Sequence, residues 1–141
     1  MTPLFRERWW PYACSIIITF VWYLLGAPFP PKPDALMGAS GTVAAVLVGF
    51  LGTAKAIVLS VSNSDVFKRI KESGYSDVLF WFLFESLTAG TVFLVISIIG
   101  FFVPEHSPNL WFSILWVLSG TTAMLVYSRT TYLLFKLVRQ A

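Results

Sequence analysis

Four long stretches of this chain carry almost no charge, and that pattern leaves few folds open. Trp9 to Ala27 runs for 19 residues without a charged side chain, Ala35 to Ser64 for 30 with only Lys55, Val78 to Val103 for 26 with only Glu85, and Leu110 to Ser128 for 19 with none. A helix needs about 20 predominantly apolar residues to cross a bilayer. Each stretch can therefore cross once, and the spacing predicts helices over 10–26, 38–62, 78–103 and 109–136. Only 12% of the 141 residues are charged and 57% are apolar, and a chain this short cannot hide that much apolar surface from water. The composition excludes an ordinary soluble domain, a disordered tail and a disulfide-stapled secreted module, the last because Cys14 is the one cysteine.

The positions of the cations predict the orientation. Arg6, Arg8, Lys68, Arg69, Lys71, Lys136 and Arg139 fall on one side of the four stretches, and Lys32 alone falls on the other. Cytoplasmic loops of membrane proteins carry the excess of lysine and arginine, so both termini and the 63–77 loop are expected in the cytoplasm. The proline-rich 28–33 link and the 104–108 loop then face outward. Arg6 and Arg8 ahead of an apolar run also fit a signal peptide, but Leu25-Gly26-Ala27 followed by Pro28 is a poor cleavage site, and aromatic residues bracket the run at both ends. The expected fold is an all-α membrane protein: one domain of four transmembrane helices in two hairpins, with no soluble domain.

Three further features invite a functional reading. On a wheel of 100° per residue, Gly38, Gly41, Thr42, Ala45, Gly49, Gly52, Thr53 and Ala56 share an arc of about 120° on the second helix. Small residues let helix backbones approach closely in lipid, where no hydrophobic force draws helices together. The stripe can pack within one chain, form a seam between copies, or line a pore. Val46, Leu47, Val48, Leu51 and Val58 opposite it suit lipid or looser packing.

The second feature is a set of ionisable residues. Lys55, Glu85 and Arg129 each lie about seven residues, or roughly 10 Å, inside the cytoplasmic edge of their helices. A charge in hydrocarbon is costly and is expected to pair. A static ion pair, snorkelling of the two long cations to headgroups, and an ion or proton site at Glu85 all remain open. The third feature is the segment 63–74, which reads as a short capped helix whose Lys68, Arg69 and Lys71 meet lipid phosphates or a partner, or as a plain solvated connector.

Catalytic signatures are missing. The sequence holds no phosphate-binding loop, no H-E-x-x-H and no G-x-S-x-G, and His106 stands alone in an outer loop. No enzyme activity, cofactor, metal or direct nucleic-acid contact is expected. The run Val46-Leu47-Val48-Gly49-Phe50-Leu51-Gly52-Thr53-Ala54-Lys55-Ala56-Ile57, followed by Asp65-Val66-Phe67-Lys68-Arg69-Ile70-Lys71-Glu72-Ser73-Gly74-Tyr75, resembles small four-span bacterial membrane proteins of anti-phage defence systems, such as the membrane subunit of the Kiwa system. The resemblance implies a homo-oligomer in the bacterial cytoplasmic (inner) membrane that senses infection or perturbs the bilayer together with a cytoplasmic protein partner. Two other readings stand beside it: a small ion or solute channel or transporter using Glu85, and an accessory subunit of a larger membrane complex.

Overall fold

The computed structural model describes residues 3–30, 33–60, 75–102 and 109–140. Four α-helices account for nearly all of them: α1 (Pro3–Leu24), α2 (Pro33–Ser60), α3 (Tyr75–Gly100) and α4 (Leu110–Gln140). Three are long and apolar enough to cross a bilayer, over Asp34–Ile57, Val78–Gly100 and Leu110–Phe135. The apolar part of α1, from Trp9 to Leu24, spans only about 24 Å at the usual rise, against a hydrocarbon core of about 30 Å.

Several helix ends differ from the sequence-based expectation, for local reasons. Two helices begin at prolines, Pro3 and Pro33. Proline suits the first turn of a helix because its missing N–H would have no partner there. Asp34 follows Pro33 in the first turn of α2, where a carboxylate meets the positive end of the helix dipole. At the other end of α1 the chain closes on Gly26, with φ at 91°. The Gly26 N–H donates to the Tyr23 carbonyl at 3.1 Å and the Ala27 N–H to the Trp22 carbonyl at 3.2 Å. This pair of bonds is a Schellman stop, and it needs the left-handed conformation that glycine adopts without strain. The stop is reinforced by Trp22 Nε1, which donates to the Pro28 carbonyl at 3.3 Å, and by the edge of Phe29 against Trp116 of α4.

The helices pack in the order α2, α3, α4, α1, so that α3 lies between α2 and α4 while α1 rests mainly on α4. The expected first hairpin is therefore not the main packed unit, since α1 docks on the last helix rather than on the next. Paired contacts give the directions. Ser40 meets Ser97 while Val48 meets Gly90, Ser86 meets Thr130 while Ser97 meets Trp116, and Arg8 meets Arg129 while Ser15 meets Thr122. Every packed pair is antiparallel. The start of α1, the end of α2, the start of α3 and the end of α4 thus share one end of the bundle.

The interior is unusually polar. Ser15, Thr19, Ser40, Ser86, Ser97, Ser113, Arg129 and Thr130 are buried, while Ile16, Ile17, Phe20, Val46, Phe84, Ile98, Ile99, Phe102 and Trp111 face outward. Hydroxyls cross each packed interface: Ser40 to Ser97 at 3.1 Å, Ser86 with Thr130 at 2.5 Å, and Thr122 to Ser15 at 3.0 Å. Two small apolar clusters accompany them, Ala44, Phe93 and Ala123 in one and Leu51, Leu79 and Leu83 in the other. Water would drive the reverse distribution, because the hydrophobic effect buries large apolar side chains first. An apolar solvent leaves helix association to hydroxyl bonds and close packing, as found here.

Close packing comes from glycines on α3 and α4. A Cβ at Gly90 would stand 3.0 Å from Val48 Cγ2, one at Gly100 would stand 2.6 Å from Met37 Sδ, and one at Gly120 would stand 2.8 Å from Phe93 Cε2. Each contact is a medium or large side chain set into a glycine notch, so one glycine per contact suffices. The glycines of α2 play no such part. Gly41, Gly49 and Gly52 have nothing within 4 Å of where a Cβ would be. Ala45, Gly49, Gly52, Thr53 and Ala56 are exposed, and only Gly38 comes near another helix, with Phe101 Cζ 3.7 Å from its Cβ position. The face of α2 that packs on α3 is instead Met37, Ser40, Ala44, Val48 and Leu51, centred about 120° round the helix from the small-residue stripe. This corrects the expectation that Val48 and Leu51 suit lipid or looser packing, and among the described residues the stripe beyond Gly38 has no close packing partner.

Candidate functional site

Glu85 of α3 and Arg129 of α4 form an ion pair deep in the bundle, with Arg129 Nη2 donating to Glu85 Oε2 at 2.7 Å. The side chains are 12% and 3% exposed, so this is a buried pair rather than a surface one. Tyr12 of α1 donates its hydroxyl to Glu85 Oε1, filling the second carboxylate oxygen. The guanidinium also donates through Nη1 to the Arg8 carbonyl at 3.2 Å and lies 4.1 Å from the centre of the Phe82 ring. One carboxylate and one guanidinium thereby tie three helices together.

Local sequence shapes the start of α1 beside the pair. Pro11 lies inside α1 and has no N–H, which weakens the helical hydrogen bonding of the turn before it. The carbonyl left without its donor is that of Glu7, and the Arg8 carbonyl beside it accepts the Arg129 side chain. Below the pair, Ser86 and Thr130 extend the polar seam one residue along each helix, and the Thr130 hydroxyl contacts the Phe82 and Val126 carbonyls at 3.3 and 3.0 Å. The seam is closed to bulk solvent, since Ser86 and Thr130 are fully buried.

Lys55 stands apart. Its Nζ lies 5.9 Å from the centre of the Phe84 ring, on the outer side of α3, and among the described residues no carboxylate approaches it as an ion-pair partner. Depth explains the separation. Measured from the shared end of the bundle, Tyr12 is 9 residues in from Pro3, Glu85 is 10 in from Tyr75, and Arg129 is 11 in from Gln140. The Ser40–Ser97 and Val48–Gly90 contacts set Lys55 level with the turn of α3 before Glu85, about two residues, or roughly 3–4 Å, nearer that end. It also belongs to α2, which meets α4 through Phe50 and Leu51 while Lys55 lies over Phe84 on the outer flank of α3. The expected triad of Lys55, Glu85 and Arg129 is thus a pair with Tyr12 as its third member.

Tyr12 was legible as an aromatic near the helix end, and its bond to Glu85 was not. With α1 beginning at Pro3, Tyr12 and Glu85 come to the same depth, so the missing signal was the position of the helix start. Lys68, Arg69 and Lys71 lie outside the described residues. Among the described residues no group of histidine, cysteine, aspartate and glutamate could hold a metal ion. Comparison with protein-family models, curated proteins and solved structures returns no match.

Proposed function

We propose that this chain is an integral protein of the bacterial cytoplasmic membrane with four spans and both termini in the cytoplasm, and that several copies assemble through the outward stripe of α2. The observation that carries the reading is the inverted bundle: hydroxyls and an ion pair inside, large apolar side chains outside, and a ladder of small residues left on the surface. None of the described residues fills the surface along Gly41, Ala45, Gly49, Gly52 and Ala56, and an identical helix fits such a small-residue face by backbone-to-backbone approach. The fourth span is α1. Its Tyr12, Ser15 and Thr19 turn inward while Ile16, Ile17, Phe20 and Leu24 turn outward along α4, a helix long enough to cross.

The role follows the likeness of residues 46–57 and 65–75 to the small anti-phage membrane proteins: a membrane sensor or effector that works with a cytoplasmic partner. The buried pair supports this over a transporter. Glu85 has both oxygens occupied, by Arg129 and Tyr12, which suits a structural bracket better than a carboxylate that takes up and releases a cation.

The test is the oligomeric state in nanodiscs, read by mass photometry, together with membrane potential in phage-challenged cells. The wild type should form a defined oligomer, and Gly49→Leu with Gly52→Leu should yield monomers that keep their helix content and no longer depolarise cells. A monomeric wild type would end the assembly reading, and depolarisation unaffected by the double variant would end the effector reading.

A further inference from the structure

Lys55 is a cation that no carboxylate among the described residues neutralises, and the surface around it is shaped. Lys55 of α2 and Phe80, Trp81 and Phe84 of α3 line an open cavity of about 430 Å³ near the end of the bundle that α2 leaves and α3 begins. Trp81 and Phe84 are 49% and 56% exposed, so the cavity faces the surroundings of the bundle rather than its interior. A second cation stands one ring away, with Arg8 Cζ 5.2 Å from the centre of the Trp81 indole. Glu85, the carboxylate within the apolar stretch of α3, is spent on Arg129 and Tyr12.

We infer that this cavity is a binding site for the headgroup and upper acyl chain of an anionic phospholipid, with Lys55 as the phosphate ligand. The inference rests on the membrane reading above. Its chemistry is specific at three points. A lysine a few residues inside a span, with no carboxylate beside it among the described residues, lowers its cost by reaching an anion at the interface, and the long stem allows that reach. The indole and the two phenyl rings form an apolar wall against which the first methylenes of an acyl chain lie, in the layer where tryptophan is favoured. The cavity opens sideways between two helices, the arrangement in which basic pockets at the cytoplasmic side take lipid headgroups. A soluble phosphate ester would satisfy the cation but not the three-ring wall, so the wall favours the lipid.

The experiment uses the full chain in phosphatidylcholine vesicles containing a small fraction of either phosphatidylglycerol or phosphatidylcholine brominated at the 6,7 positions. Quenching of Trp81 is read as the difference between the wild type and Trp81→Phe. Brominated phosphatidylglycerol should quench at about one-fifth the mole fraction that phosphatidylcholine needs, the ratio expected for one cation near an anionic headgroup. Lys55→Met should bring that ratio to about one, and Lys55→Arg should keep it. Equal quenching by the two lipids in the wild type would overturn the site, as would a preference that survives Lys55→Met. Displacement of the brominated lipid by millimolar glycerol phosphate would overturn the lipid as occupant. Flotation of each variant with the vesicles separates the two levels: a wild type that does not float sinks the membrane reading with the site, whereas a floating protein without preference sinks the site alone.

Discussion

Removing one member of the Glu85–Arg129 pair should be far worse than removing both. Arg129→Met keeps the length and most of the packing of the side chain but leaves the Glu85 carboxylate facing a gap, with Tyr12 as its remaining donor. Breaking a buried pair from one side costs about 3–5 kcal/mol, because a buried charge is left uncompensated. The residual bond from Tyr12, worth about 1.5–3 kcal/mol to a charged acceptor, pulls the expected loss toward about 3 kcal/mol. Glu85→Met leaves the guanidinium with the Arg8 carbonyl and the Phe82 ring, and the loss should be similar. The double variant Glu85→Met/Arg129→Met replaces both charges with apolar volume in a site that already excludes solvent, and such replacements are commonly near neutral. The coupling energy of the cycle should therefore be about 3 kcal/mol or more. Equilibrium unfolding by steric trapping in bicelles measures each corner. Two single variants costing less than about 1 kcal/mol each, or a double variant costing the sum of the singles, would refute the view that the pair is held as a desolvated unit. Asp34→Asn, at an exposed position in the first turn of α2, serves as the comparison and should change stability by no more than about 1 kcal/mol.

Three other outcomes are expected. Gly120→Ala forces a methyl to within 2.8 Å of the Phe93 ring and should destabilise the bundle by about 1–3 kcal/mol, whereas Gly49→Ala meets nothing and should be neutral or stabilising when monomer unfolding is measured in detergent. Gly26→Ala puts a side chain on a φ of 91° and should cost about 1 kcal/mol, seen as faster proteolysis in the link after α1 rather than loss of the bundle. Ser86→Ala removes the hydroxyl that meets Thr130 and should cost only about 0.6–1.7 kcal/mol by the same steric-trap assay, since Thr130 retains the Val126 carbonyl. A Ser86→Ala loss as large as that of Arg129→Met would show that the seam, not the ion pair, holds α3 to α4.

What could be seen in advance divides along a physical line. Helix number and rough placement depend on runs of apolar residues and on prolines, which are properties of single segments, and both were visible. Which faces meet depends on pairs of segments. The α2 stripe illustrates the difference. Its glycines are the densest in the chain, and density made them the natural packing face, yet close approach needs a notch on only one side of a contact. Gly90, Gly100 and Gly120 supply the notches for Val48, Met37 and Phe93, so α2 meets α3 with its larger side chains and leaves its small ones outside.

The same reasoning separates the three ionisable residues. Their depths looked equal when counted from apolar boundaries, but the helices overrun those boundaries unequally: by 7 residues at the start of α1, where Pro3 replaces position 10, and by 3 at the start of α3, where Tyr75 replaces position 78. Packing sets the actual levels: the Tyr12 hydroxyl reaches Glu85, and the Ser40–Ser97 and Val48–Gly90 contacts put Lys55 about two residues nearer the end of the bundle. A carboxylate can satisfy only so many donors, and once Arg129 and Tyr12 hold Glu85 the third charge has no counter-ion among the described residues. The internal pair and the outward lysine are thus two consequences of one geometry. A variant that frees Glu85, such as Arg129→Met, should therefore leave the lipid preference at Lys55 unchanged, because α3 turns Glu85 toward α1 and α4 and Phe84 toward Lys55.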